Sequence, residues 1–353
     1  MWFIRPSRWW DWIQVEVSSQ CPAACIYCPT TLFRKWGSNL LMSMETYHRL
    51  LPAFSRARMV FLQGWGEPFM NPNFFEMVRQ AKAAGCQVGT TTNGMLLDAD
   101  KLTGLVHSGV DIVAFSLAGC SETNDVIRKG TSLVRVLEAV RQLKRIKENE
   151  GTTCPDIHIA YMLLRSGLDE IEQLPSLLAG SGVSQAVVTT LDFVPIPALD
   201  REALIPSSQD EYASLRARMD RLAASGRQSG LDIRCQLVAF QIGDDISVPA
   251  GLDIAAYLPV QQPVCTENIQ RAAFISAGGN VSPCVFKHLP VASPAAVAAL
   301  MGRPYQPLIF GNIHDRPLED IWRSKDYRAF RRSHHSGNLP APCRGCLKPM
   351  VIS

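Results

Sequence analysis

The sequence has little excess charge of either sign. Its 35 Lys and Arg stand against 32 Asp and Glu in 353 residues, a formal net charge of +3. So small an excess provides no basic field that would call for nucleic acid or an anionic membrane as partner. Long apolar runs are missing too. The most apolar later stretch, Val291 to Met301, is broken by a Ser-Pro pair and is far too short to span a bilayer. The opening Met1-Trp2-Phe3-Ile4-Arg5-Pro6 puts Arg and Pro where the apolar core of a secretory signal would form. Together these absences predict a soluble, cytoplasmic protein. There is no internal repeat and no low-complexity segment, which leaves ordinary globular domains.

A disulfide framework is also excluded: the 11 cysteines are odd in number and no secretory signal accompanies them. Apolar residues make up 47% and charged residues 19%, the balance of a folded chain. The length suffices for one large α/β domain and a smaller one. Trp2, Trp9, Trp10 and Trp12 crowd the N-terminus, and residues 1–12 read as a segment capping the domain that follows, because aromatics bury so much area, with a membrane-interface role as the alternative.

From Ile13 to about Cys235 strand and helix signals alternate, the pattern of a parallel-sheet α/β domain. Strands are predicted at 13–17, 58–63, 88–92, 112–116, 157–163 and 186–191. Asn73 to Ala84 reads as a helix, with Asn73 and Glu76 as a capping box and Gly85 as its stop. Leu133 to Lys147 carries one apolar stripe, Leu133, Val136, Leu137, Val140, Leu143 and Ile146, opposite a solvated charged face. Six strand–helix units fit this stretch, fewer than the eight of a closed barrel. After Cys235 the rhythm changes. Pro249 to Pro263 is irregular, Ala272 to Cys284 reads as a hairpin turning at Gly278-Gly279-Asn280, and an amphipathic helix runs from about Leu318 to Arg332. The expected partition is 1–12, 13–235 and 236–353.

Cys21-Pro22-Ala23-Ala24-Cys25-Ile26-Tyr27-Cys28 is a C-x3-C-x2-C loop shortly after the first strand. Three thiolates on one tight loop can hold three irons of a cubane and leave the fourth open, the mark of a catalytic centre. A zinc loop with a fourth ligand from elsewhere is the alternative. Gly64-Trp65-Gly66-Glu67-Pro68 follows the second strand, Thr92-Asn93-Gly94 ends the third, and Ser116-Leu117-Ala118-Gly119 ends the fourth. These positions at the C-terminal ends of strands are where barrel enzymes place their chemistry.

As a set, these motifs resemble the radical S-adenosylmethionine (SAM) superfamily, over roughly residues 13 to 235. The resemblance implies a partial (β/α)6 barrel whose open iron, in a [4Fe–4S] cluster on Cys21, Cys25 and Cys28, chelates SAM. One electron then cleaves SAM to methionine and a 5′-deoxyadenosyl radical that takes a hydrogen atom from the substrate. Tyr27 matches the aromatic position near the adenine. Gly64, Gly66 and Glu67 match the Gly-Gly-Glu-Pro motif that receives the SAM ammonium, with Trp65 standing where the first glycine usually is. Asn93 belongs to the Thr-Asn-Gly turn, Ser116 matches a hydroxyl that contacts SAM, and Arg128 matches the partner of the methionyl carboxylate. Ala118 departs from the usual Asp, so any role of that Asp is absent here.

Cys265, Gly279 and Cys284 form a C-x13-G-x4-C pattern that resembles the entry of the SPASM domain, an extension that holds auxiliary clusters. With Cys343 and Cys346 the count is four, which suits the shortened twitch version: a small α+β iron–sulfur domain with one auxiliary [4Fe–4S] cluster. A four-cysteine zinc site is the alternative. Cys86, Cys120, Cys154 and Cys235 stand outside both sets. The resemblance implies oxidative modification of a peptide or protein, including maturation of a partner metalloenzyme, or else dehydrogenation of a small alcohol or aminocyclitol. The electron donor would be a carrier such as flavodoxin or ferredoxin. Oxidation needs a base, for which Asp192, Tyr161 and Arg165 are the candidates facing the cavity. A non-catalytic iron–sulfur carrier is the contrasting reading, and nothing in a carrier would use the Glu67, Asn93 and Arg128 constellation.

Overall fold

The computed structural model describes residues 8–238, 265–335, 339–343, 346–348 and 351–352. Trp2, the expected irregular stretch 249–263 and the Arg344-Gly345 pair lie outside them. The strands, in chain order, are β1 (Trp10–Val15), β2 (Ala24–Cys25), β3 (Ala57–Leu62), β4 (Gln87–Thr92), β5 (Ile112–Leu117), β6 (Arg128–Lys129), β7 (Asp156–Leu163), β8 (Gln185–Thr190), β9 (Asp232–Val238), β10 (Ala272–Ile275), β11 (Asn280–Ser282), β12 (Gly311–Asn312) and β13 (Val351–Ile352). Among the described residues one sheet runs in the order β12-β11-β10-β1-β3-β4-β5-β7-β8-β9-β13. From β1 to β9 every neighbouring pair in it is parallel. The six strands expected from the sequence are therefore present, and β9 adds a seventh.

Alternation along each strand separates two faces. On β5, Val113, Phe115 and Leu117 are fully buried in the same apolar cluster as Phe74, Met77, Val136 and Val140 of the flanking helices. Ile112, Ala114 and Ser116 point the other way, to the half-exposed concave face. The helix Leu133–Asn149 presents Leu133, Val136, Leu137, Val140 and Leu143 to the sheet, and its first turn is capped by the Ser132 hydroxyl. The helix Phe74–Ala83 forms as expected but without the capping box. Asn73 makes no side-chain cap, its own N–H goes to Asn71 Oδ1 at 3.0 Å, and Glu76 binds Arg79 and Gln80 instead.

The first strand starts at Trp10, ahead of the expected Ile13, so Trp10 and Trp12 are part of the sheet. Trp10 is fully buried against Trp322 at 5.4 Å, and the guanidinium groups of Arg56 and Arg323 lie over the Trp9 ring. The C-terminal hairpin β10–β11 turns at residues 276–280 as predicted. Gly279 has φ +83°, and a Cβ there would come within 2.9 Å of Asn312 Oδ1, so the position needs glycine twice over. The expected helix 318–332 is two, Leu318–Arg323 and Lys325–His335, because Ser324 turns extended between them. This region joins the main sheet: β10 lies parallel to β1, with Trp12 beside Ala272.

Candidate functional site

The three-cysteine loop is tied down by backbone pairing. Cys25 in β2 stands opposite Arg128 in β6, and the N–H of Ile26 donates to the Ile127 carbonyl at 2.9 Å. Cys28 accepts at its carbonyl from Thr31 and Leu32, opening a short helical turn at Pro29. All three thiols are free. Burial pushes the Cys21 thiol up to about 12, and the neighbouring Glu67, Cys28 and Cys25 push the same way. Burial and the Cys25 charge likewise raise Cys28. Thiols so placed become thiolates together only with positive charge among them, which is what iron supplies.

Arg128 is 6% exposed and donates through Nη1 to the Tyr27 hydroxyl. Its Nε is buried with no hydrogen-bond partner among the described residues. A guanidinium donor left unpaired in the interior is costly, and a carboxylate is the group that its fork best receives. The donor set therefore fits an iron cluster together with a carboxylate-bearing ligand.

Around this loop the two glycine-bearing turns lock together. Glu67 is 2% exposed; its Oε1 accepts from Thr92 Oγ1 at 2.7 Å and its Oε2 from the Asn93 N–H at 2.8 Å. The carboxylate thus clamps the Thr-Asn-Gly turn to the Gly-Glu-Pro turn. Asn93 Nδ2 in turn approaches Cys21 Sγ at 3.6 Å. The two glycines have a reason within the protein. A Cβ on Gly66 would lie 2.3 Å from the Ser18 carbonyl oxygen, and one on Gly64 would meet the Glu16 side chain at 2.4 Å. Close passage of the chain just before Cys21 thus demands both. Trp65 does not crowd this side. Its Nε1 donates to the carbonyls of Val285 and His288 at 3.1 and 3.0 Å, so the indole turns toward the C-terminal region.

Ser116 lies on the concave face at the end of β5. Where the family's Asp is missing, the Ala118 N–H is held by Asn124 Oδ1 at 2.9 Å. Ala118, Ile127, Leu164, Leu191 and Leu199 make an apolar patch against which Ile26, Tyr27 and Met162 pack.

The three candidate bases do not come together. Tyr161 shares the face of β7 with Ile157, Ile159 and Leu163, packed toward the helices and 1% exposed. Its hydroxyl is 3.9 Å from Cys120 Sγ, and burial first, then the Cys120 charge, pushes its proton affinity upward. The expectation that it faces the cavity is wrong, because alternation defines two faces without saying which one is concave. Arg165 is half exposed, 3.7 Å from Glu211, and lines a separate hollow of about 430 Å³ with Glu172, Leu215 and Arg218. Of the three, Asp192 alone lies at the C-terminal rim of the sheet, 8% exposed just past the end of β8. Cys120 and Cys86 are buried, the latter with Sγ 3.1 Å from the Phe54 carbonyl.

Asp192 leads to a residue that sequence reasoning missed. Lys348 Nζ sits 2.9 Å from Asp192 Oδ2 and 3.1 Å from Glu267 Oε1, with its side chain 11% exposed. Burial alone would strip its proton, but the two carboxylates outweigh that and hold it charged. One cation cannot fully neutralise two buried carboxylates, so burial leaves Asp192 with more affinity for a proton than an ordinary Asp. Glu267 is two residues past Cys265 and Lys348 two past Cys346, so the bridge fastens the four-cysteine region to the rim of the sheet. Nothing in the sequence links three positions so far apart.

The four cysteines Cys265, Cys284, Cys343 and Cys346 are free, and the first three pack with the main core. Cys284 is raised by burial and then by the charges of Glu267, Cys265 and Cys346, and burial lifts Cys265 to about 12 with Cys346 and Cys343 adding to it. Cys265 and Cys346 thus each lie within electrostatic reach of both Cys284 and Cys343. Among the described residues no three Cys, His, Asp or Glu side chains close on a point as the ligands of one metal ion would. No helix among them is long and apolar enough to cross a membrane.

Comparisons with known proteins agree with this arrangement. The radical SAM superfamily model matches residues 15–173, and an iron–sulfur cluster-binding domain model (SPASM) matches residues 265–347, from the first to just past the last of the four C-terminal cysteines. The tungsten-containing aldehyde ferredoxin oxidoreductase cofactor-modifying protein of Pyrococcus furiosus is 24% identical over 327 residues, covering 91% of this chain and 83% of that protein. The PqqA peptide cyclase of Gluconobacter oxydans is 24% identical over 337 residues, covering 94% and 81%. Among solved structures, SuiB of Streptococcus suis bound to S-adenosylmethionine shares the fold with a TM-score of 0.64 at 14% identity, over 96% of this chain and 71% of that one. Residues 15–173 thus form a radical SAM domain and residues 265–347 a SPASM-type iron–sulfur cluster-binding domain.

Proposed function

We propose that this radical SAM enzyme oxidatively modifies a side chain of a peptide or protein, with Cys21, Cys25 and Cys28 holding the SAM-binding cluster and Cys265, Cys284, Cys343 and Cys346 one auxiliary cluster. The observation that carries the reading is the Lys348 bridge. It sets the four-cysteine region against the end of β8, on the same rim where β1, β3, β4 and β5 present the three-cysteine loop, Glu67, Asn93 and Ser116. A substrate over the concave face then has a radical source on one side and an electron acceptor on the other. When bound, the clusters and SAM supply the one-electron chemistry: an electron in, a hydrogen atom removed from the substrate, and a second electron accepted.

The chain's own residues bind and orient. Arg128 receives the SAM carboxylate through its unpaired Nε, Ser116 offers a hydroxyl, and Tyr27 packs beside the adenine. Asp192, a rim carboxylate with raised proton affinity, takes the proton that a two-electron oxidation of a C–H bond must release. Support for a peptide comes from the relatives. One is a peptide cyclase, and SuiB has also been solved bound to the precursor peptide SuiA, with a TM-score of 0.61. The Pyrococcus relative supports a second form of the same reading, in which the substrate belongs to a partner metalloenzyme under maturation. An electron carrier of the flavodoxin or ferredoxin kind would supply the first electron.

The test is anaerobic incubation of the reconstituted enzyme with SAM, a reductant and the peptides or proteins encoded beside it, read by mass spectrometry. A loss of two hydrogens on one of them, with methionine and 5′-deoxyadenosine released, is expected. Unchanged peptides together with oxidation of an aminocyclitol or other small alcohol would replace the peptide reading with the dehydrogenase one.

A further inference from the structure

We infer that Trp65 is a positioning residue that fastens the auxiliary-cluster loop to the turn beside the SAM-binding loop, so that the setting of one metal centre depends on the other. This rests on the reading above that both clusters are present. In the motif that this turn resembles, a glycine stands at the position, and a glycine has nothing to reach with.

Here the residue is held at both ends. On the SAM side, the Trp65 carbonyl accepts from Thr30 Oγ1 at 2.9 Å, two residues past Cys28, and its N–H donates to Glu16 Oε1 at 3.1 Å. On the far side, the single indole N–H is shared between the carbonyls of Val285 and His288. Val285 opens the short 3-10 turn Val285–Lys287 and His288 caps its end; the first cap is Cys284, and the Lys287 N–H returns to the Cys284 carbonyl at 3.2 Å. One residue thus reaches the third cysteine's turn by its backbone and, by its indole, the turn that follows Cys284.

Two further features mark this as a brace. The indole packs edge-on against Phe286 at 5.5 Å and 88°, and Phe193, one residue past Asp192, closes the cluster at 5.3 Å from Phe286. Lys348 Nζ lies 4.4 Å over the same Phe286 ring, so the salt bridge and the indole grip one aromatic residue from two sides. Glu16 repeats the connection. Its second oxygen accepts from the Ala277 N–H at 3.2 Å, in the hairpin turn that leads to Cys284. A ring serving only as filler would not need its one donor divided between two carbonyls of the loop that presents Cys284. Hydrogen bonds and dipoles around a cluster set its potential. Removing the indole donor, which leaves the His288 carbonyl unpaired and the Val285 carbonyl with the His288 N–H at 3.1 Å, should therefore be felt at the auxiliary cluster.

The test isolates that cluster by replacing Cys21, Cys25 and Cys28 with Ala and follows its midpoint potential by EPR-monitored titration. Adding Trp65→Phe, which keeps a ring and loses the donor, is expected to shift the midpoint. Phe193→Leu, which trims the same aromatic cluster without touching either carbonyl, is expected to leave it in place. In the enzyme with both clusters, Trp65→Phe should raise the SAM consumed per modified product several-fold. A Trp65→Phe protein with full iron content, unchanged midpoint and unchanged ratio overturns the inference and leaves the proposed function standing. Absence of any auxiliary iron in the parent triple variant overturns both.

Discussion

The two cysteine sets are built to opposite ends. At the N-terminal loop there are three thiols and a buried guanidinium whose Nε has no partner among the described residues. At the C-terminal region there are four thiols, and the neighbouring buried cation, Lys348, is matched by two carboxylates. The first is short of ligands and acceptors; the second has them in surplus. A buried guanidinium donor without a partner calls for an incoming acceptor, whereas a buried ammonium held between two carboxylates already has its partners. On the function proposed above, that contrast marks the three-cysteine side as the one that receives a ligand and the four-cysteine side as the one that passes electrons.

The largest test of the contrast is to remove the first set. Cys21→Ala, Cys25→Ala and Cys28→Ala together should abolish SAM cleavage and lower the iron from about eight to about four per chain, with the remaining cluster indifferent to SAM. Iron falling from about four to none, with zinc at the other site, would make the second set structural and remove the electron acceptor. Next in size is Lys348→Ala, which strands two buried carboxylates. A loss of about 3–5 kcal/mol is expected in denaturant unfolding, and Lys348→Met with Asp192→Leu should recover part of it. A loss under about 1 kcal/mol would mean that the bridge is screened by water and does not fasten the region.

Glu16, between the two regions, should leave a pH signature. Burial raises it to about 7, although the N–H groups of Trp65 and Ala277 pull against this. The native state therefore keeps a proton that the unfolded chain releases near 4.5, and stability should fall as pH rises through that window, by about 3 kcal/mol in total. Glu16→Gln should flatten the slope, measured by unfolding at several pH values. Arg128→Lys keeps the charge but loses the fork, and should weaken SAM binding about 10- to 100-fold in equilibrium titration while leaving the auxiliary cluster unchanged. Smallest of all, Arg165→Ala should alter turnover and stability by less than about 0.5 kcal/mol, since its one ion pair is exposed.

Much of this was legible in the sequence. β3, β4, β5, β7 and β8 fall within a residue of their predicted limits, because parallel strands buried on one face and lining a cavity on the other carry strong apolar runs. The cysteine spacings announced both sets. What was not legible depends on contacts between distant parts of the chain. Lys348 looks like any late lysine until Asp192 and Glu267 are seen beside it. Trp65 reads as an obstruction in a glycine motif until its indole is seen turned outward. β9 shows alternation at Ile233, Cys235 and Leu237, but its place at a presumed domain boundary hid it. Tyr161 was misplaced because a period of two gives faces and not their direction.

The joining of β10 to β1 and of β13 to β9 has a consequence for how the chain can be cut. An incomplete barrel has two raw strand edges, each a row of unpaired N–H and C=O groups ready to pair with another molecule. Here residues beyond the parallel array cover both, β10 on one side and β13 on the other. A fragment ending at residue 238 would keep the SAM loop and its turns, yet it would expose β1 from Trp12 to Val15 and β9 at Leu237 and Val238. Such a fragment is a template for intermolecular pairing, and its loss from solution would report bared edges before it reported anything about catalysis.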